Sequence, residues 1–189
     1  FIRWAFPLIK ASADAIYCSA SLTTIRRLAE ENIPVIGHTG LIPSRATWTG
    51  GFKAVGKTRE SADLVWNQVK ALEEAGAFGA EIEVVPSDVA AEISARTNLF
   101  LISMGAGAGC DCQYLFSDDV LGQNRGHVPR HAKSYRNFAA EFDRLQQDRI
   151  AAYCEFAADV KSGAYPAATH QVPVPAEELA AFKASLPPK

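Results

Sequence analysis

The sequence predicts an α/β protein organised on a parallel sheet. Short apolar runs alternate with amphipathic helical stretches along most of the chain, and turn residues mark each change. With 48% of its 189 residues hydrophobic, the chain can bury a substantial core, which points to one domain over residues 1–189. Repeated β-then-α units leave two closures open at this level, an open doubly wound sheet or a barrel.

The elements follow in order. "ADAIYCSAS" reads as a strand ending in small polar residues, and "LTTIRRLAEEN" as a helix with Leu22, Ile25 and Leu28–Ala29 on one face. "IPVIGH" is the next strand, entered through Pro34 and left by way of Gly37. A long turn-rich loop leads to "TRESADLVWNQVKALEEAG", whose Leu64, Val65, Val69 and Leu72 have helical spacing and whose Gly76 marks the C-cap. "FGAEIEVVP" is a strand closed by Pro86; "SDVAAEISARTN" is a helix with Ser87 as N-cap; "LFLISMGAG" is a strand again. From about residue 130 the pattern turns helical, with two helices expected before Gly163, then a Pro-rich connector and a final helix. Four β/α units fit, whereas a closed barrel usually takes about 250 residues.

Composition excludes several classes. A net charge of −2 gives no basic footprint for nucleic acid. No run approaches the ~18–20 apolar residues of a membrane helix. "FIRWAFPLIK" lacks the features of a signal peptide, and the only methionine is Met104, so the expectation is a chain that starts inside a longer protein. Cys18, Cys110, Cys112 and Cys154 read as free thiols of a reducing compartment. The Cys110–Cys112 pair has no second pair to complete a zinc site.

Functional groups of parallel β/α folds gather at the carboxyl ends of strands. His38 lies at such an end with Gly37 before it and Gly40 two residues on, glycines that would let a ligand approach the backbone. In "EIEVVP", period-2 alternation puts Glu81 and Glu83 on one face and Ile82 and Val84 on the other. Outer helices demand the apolar face, so the carboxylates should face inward. There they need a metal, a counter-charge or a proton. "GAGAGCDCQ", with Asp111, reads equally as a ligand loop or a plain connection, and Asp118–Asp119 as a helix cap. "FLISMGAGAG" has neither G-x-G-x-x-G register nor a following Lys-Ser/Thr, so a dinucleotide or phosphate site is weakly supported.

The blocks "IPVIGHTGLIPSRATWTGGFKAVGKT", "ALEEAGAFGAEIEVVPSDVAAEIS", "ISMGAGAGCDCQ", "DDVLG" and "VKSGAYPAATH" resemble, in order, the ketopantoate hydroxymethyltransferase family of the phosphoenolpyruvate/pyruvate barrels. The resemblance spans about residues 11–171. It implies a (β/α)8 TIM barrel of which this chain carries the later strands plus C-terminal helices. It also implies a cytoplasmic, homo-oligomeric, Mg2+-dependent enzyme of pantothenate synthesis, which adds a one-carbon unit from methylenetetrahydrofolate to a branched 2-oxo acid. The metal would polarise the oxo acid, and a carboxylate base would take the proton beside the ketone. The base matches Glu83, and His38 matches the family histidine beside the substrate. The loop from His38 to Thr58 would cross the barrel mouth, with Trp48, Phe52 and Lys53 shaping its wall.

Two departures qualify that match. The family's metal-binding aspartates would fall before Phe1. In the family a strand ending K-[LI]-E-G-G supplies a lysine for the oxo acid and a glutamate for the metal; here Tyr17 and Ser19 stand at those positions, as the substrate-binding candidates. Glu81 occupies a usually apolar family position, one pleat repeat of roughly 6–7 Å deeper than Glu83, and is the candidate metal residue replacing the missing carboxylate, either contacting the metal through water or holding one of its ligands. Two alternatives remain at this level: a C–C lyase or aldolase of the same superfamily, which would normally carry a K-[KR]-C-G-H loop absent here, and a non-catalytic paralogue.

Overall fold

The computed structural model describes residues 1–188, the side chain of Thr49 aside. The chain divides into two compact units, Phe1–Arg136 and Asn137–Lys189. The first opens with helix α1 (Ile2–Lys10), which the sequence reading passed over. Strand β1 (Ile16–Tyr17), helix α2 (Leu22–Glu30), strand β2 (Val35–Gly40) and helix α3 (Arg59–Glu74) follow. Then come strand β3 (Gly79–Glu83), helix α4 (Ser87–Ser94), strand β4 (Phe100–Met104), strand β5 (Cys112–Gln113) and helix α5 (Ser117–Leu121). The five strands form one sheet in chain order, every pairing parallel. This is the α/β class expected, and sequential parallel order is what part of a β/α barrel presents.

Local signals explain the helices. Ser21 Oγ accepts from the Thr24 amide at the start of α2. Thr58 and Ser61 form a reciprocal capping box at the start of α3. Ile25 and Leu28 of α2, and Val65, Val69 and Leu72 of α3, are buried at helical spacing and supply the outer half of the core. Leu64 departs from the expected stripe: it is exposed, because one residue back on a helix turns the side chain about 100° away from the Val65 face. Gly76, at φ +82, carries the left-handed turn after α3.

Several expectations give way. Pro86, not Ser87, is the N-cap of α4; Ser87 is already helical and makes no cap bond, since proline's fixed φ sets the boundary. Neither Asp118 nor Asp119 caps α5, whose N-cap is Phe116; Asp119 is buried and accepts from Asn124 Nδ2 at 2.8 Å. The second unit holds one unbroken 25-residue helix, α6 (Phe138–Ser162), where two were expected. Asn137 caps it and Gly163 ends it in the left-handed conformation, and no breaker lies between. A connector then leads to helix α7 (Ala176–Ser185).

The glycine-rich stretch after β4 resolves as packing. A Cβ on Gly107 would lie 2.6 Å from Ser87 Cβ, and one on Gly109 2.5 Å from Ala91 Cβ. These glycines let the connection lie against α4. Gly37 serves a similar purpose: a Cβ there would meet Leu72 Cδ2 at 2.6 Å, so it admits α3 and not a ligand.

Candidate active site at the carboxyl ends of the strands

Strand register assembles the site. His38 of β2 pairs with Glu81 of β3, and Gly40 with Glu83. Residues so paired project to the same side of a parallel sheet, and period 2 keeps both glutamates on one face. Ile82, fully buried, packs with the helix-facing core on the other. Glu81 and Glu83 are 6% and 9% exposed, so the inward placement read from alternation holds.

Three side chains are in direct contact. Tyr17 Oη stands 2.5 Å from His38 Nδ1, and His38 Nε2 stands 3.0 Å from Glu83 Oε2. The second contact is close but poorly aligned, for Nε2 is buried without a hydrogen-bond partner. Donor atoms of His38, Glu81 and Glu83 all lie within 4.8 Å of one another. Among the described residues neither glutamate has a lysine or arginine partner.

The electrostatics follow from this crowding. Burial raises the Glu81 carboxyl above its ordinary value and Glu83 repulsion adds to it, while His38 and a hydrogen bond from Tyr17 partly offset both. The Tyr17 phenol is pushed well above its usual value by desolvation first and by the charge and hydrogen bond of Glu81 next. Tyr17 is half exposed as a residue, but its hydroxyl reaches buried His38, and that oxygen loses its water.

Tyr114 belongs to the same surroundings: burial and the charges of Glu81 and Glu83 raise its phenol as well. Cys112 pairs with Ile102 and the Tyr114 amide bonds Ser103 O, so alternation from Cys112 puts Tyr114 on the glutamate side. Asp111 is structural, its Oδ2 accepting from the Leu101 amide at 2.7 Å. Ser19 makes no bond to the cluster; it is exposed and lines a neighbouring cavity with His38. Trp48 and Phe52 are 90% and 76% exposed, so neither forms a packed wall in this unit.

A parallel β/α sheet with buried acidic and imidazole groups at its carboxyl end places the chain in the β/α barrel class of folds. Comparison with known proteins narrows the class. The profile of the ketopantoate hydroxymethyltransferase family matches residues 2–168. The chain is 38% identical over 165 residues to a 3-methyl-2-oxobutanoate hydroxymethyltransferase of Nitratidesulfovibrio vulgaris, covering 87% of this chain and 52% of that protein. A protein of the same name from Pyrobaculum aerophilum is 38% identical over 172 residues, covering 89% and 63%. One from Halalkalibacterium halodurans is 35% identical over 164 residues, covering 85% and 56%. The chain belongs to the ketopantoate hydroxymethyltransferase family. It spans 52–63% of the length of these relatives.

Proposed function

We propose that this chain forms the proton-abstracting part of a 3-methyl-2-oxobutanoate hydroxymethyltransferase. The observation that carries the reading is Glu83: a buried carboxylate at a strand's carboxyl end, without a permanent cation, in contact with His38. The names of the relatives above support transfer of a hydroxymethyl group and do not favour a lyase. Glu83 takes the proton from the carbon beside the ketone, and His38 orients that carboxylate. Burial keeps water from competing for the base.

A divalent cation fits these residues. Two carboxylates and an imidazole lie within 4.8 Å, and the buried His38 Nε2 lacks an aligned partner. Glu81 would hold the ion, oxygen donors being what Mg2+ prefers. When bound, the ion supplies Lewis-acid polarisation of the ketone. On the same reading Tyr17 borders the oxo acid, methylenetetrahydrofolate is the one-carbon donor, and the enzyme is a cytoplasmic homo-oligomer. The four free cysteines suit a reducing compartment.

The test is deuterium exchange at C3 of 3-methyl-2-oxobutanoate, followed by proton NMR with Mg2+ and no folate, in the full-length protein. Exchange should occur with the natural residue and fall about 10²–10⁴-fold in Glu83→Gln. Absence of exchange with every 2-oxo acid in a panel would refute the proposal.

A further inference from the structure

Tyr17 reaches the buried cluster from the neighbouring strand. It lies opposite Ile36 in the register of β1 with β2, and period 2 puts His38 two residues further along on the same face. That step is roughly 7 Å, and the length of a phenol spans it. The residue is half exposed, yet its hydroxyl is delivered to a histidine whose side chain is only 4% exposed. The two rings are tilted at 59° with centroids 5.9 Å apart, so the contact is hydroxyl to nitrogen and not face to face.

What lies beyond each ring nitrogen decides where the proton sits. Burial keeps the phenol protonated, so Tyr17 has one hydrogen to give. Two acceptors compete for it: His38 Nδ1 at 2.5 Å and the Glu81 carboxylate. If Glu81 took it, Nδ1 would have to donate to the phenol oxygen, and a neutral imidazole would then leave Nε2 bare. That nitrogen is buried and stands 3.0 Å from Glu83 Oε2, so its lone pair would face an ionised oxygen with no hydrogen between them. Giving the hydrogen to Nδ1 removes the conflict. The ring's own proton then sits on Nε2 beside Glu83, where even a misaligned N–H attracts and a lone pair repels. A cation on Glu81, as proposed above, would occupy the competing acceptor.

We infer that Tyr17 is a positioning residue: by donating to Nδ1 it anchors the His38 imidazole, as the Nε2–H tautomer, against Glu83. Its effect on rate rests on the function proposed above, whereas the bond itself does not. A carboxylate steadied at one oxygen presents the other to the carbon acid, and proton transfer is sensitive to that placement.

The experiment is nitrogen NMR of the full-length protein labelled with 15N-histidine, with Mg2+ present, at about pH 8, above the ordinary imidazole range. His38 is assigned by the signals lost in His38→Gln. In the natural protein Nε2 should read as N–H and Nδ1 as a hydrogen-bonded acceptor. Tyr17→Phe should move Nδ1 to the signal of a bare acceptor. Tyr114→Phe removes a phenol from the same surroundings but no bond to the ring, and should leave the His38 signals where they are. In the C3 exchange assay Tyr17→Phe should lose about 3–10-fold in kcat, the worth of one neutral hydrogen bond, with KM little changed. An Nδ1–H or doubly protonated ring in the natural protein would overturn the assignment without any variant, and so would unchanged His38 signals in Tyr17→Phe. A rise in KM with kcat intact would make Tyr17 a substrate contact and not a positioning residue. A natural protein that exchanges no 2-oxo acid, yet shows the Tyr17-dependent signals, would remove the proposed reaction and leave the tautomer assignment standing.

Discussion

Gly40 ties the fold to the site, and adding one methyl group there tests the coupling. At φ +81 it sits in the left-handed region, where a residue with a Cβ pays about 1–2 kcal/mol. Its Cβ would also fall 2.4 Å from Glu83 O and 2.7 Å from Val85 Cγ2. Ordinary van der Waals contact begins at 3.4 Å, so backbone at Glu83 must retreat by roughly 1 Å, and overpacking of this kind costs about 1–3 kcal/mol. Gly51 is the matched control: its φ is +106, but nothing lies within 4 Å of an added Cβ. Gly51→Ala should therefore carry the conformational cost alone, and Gly40→Ala should be less stable than it by about 1–3 kcal/mol. At about 2–4 °C per kcal/mol for a chain of this size, that separates the melting points by about 2–12 °C. A 1 Å displacement of a catalytic group costs about 100-fold in rate, so Gly40→Ala should also lose exchange activity at temperatures where it is folded. Thermal melts of both variants and the C3 exchange assay read the two effects. Coincident melting points, or full activity in Gly40→Ala, would refute the claim that this glycine positions Glu83.

Two other perturbations probe the same region. Because the folded protein raises the Glu81 carboxyl, its ionisation opposes folding: stability should fall as pH rises from the ordinary carboxylate range through the raised value. Glu81→Gln removes that titration, so in chelator the variant should gain melting temperature over the natural protein more at pH 7 than at pH 5; an equal or smaller gain at pH 7 would contradict it. Ile82, fully buried behind the glutamates, should cost about 2–5 kcal/mol when cut to alanine, read by denaturant unfolding. A loss under 1 kcal/mol would mean that β3 is not packed as described.

The backbone plan and the two glutamates were legible because they follow from local rules. Helical spacing located α2 and α3, and strict alternation in "AEIEV" fixed which face Glu81 and Glu83 share, since apolar Ile82 can satisfy only the helix-covered side. The family resemblance added a role for Glu83 and flagged Tyr17 as out of place. Tyr114 was not legible, because two-residue β5 is too short to show a period against its glycine-rich approach. Ser87 and Asp118 looked like caps because their type favours that position, yet the chain reaches the helical conformation one or two residues earlier in both cases.

By itself the sequence determined the order of elements and the inward direction of the carboxylates, because each depends on spacing along a few residues. Only tertiary structure decided that the Tyr17 hydroxyl meets His38 and that His38 stands against Glu83. Those pairs lie 21 and 45 residues apart in the chain, on different strands. Parallel register brings them together, and no local pattern encodes register when the partner strand lies beyond an intervening helix.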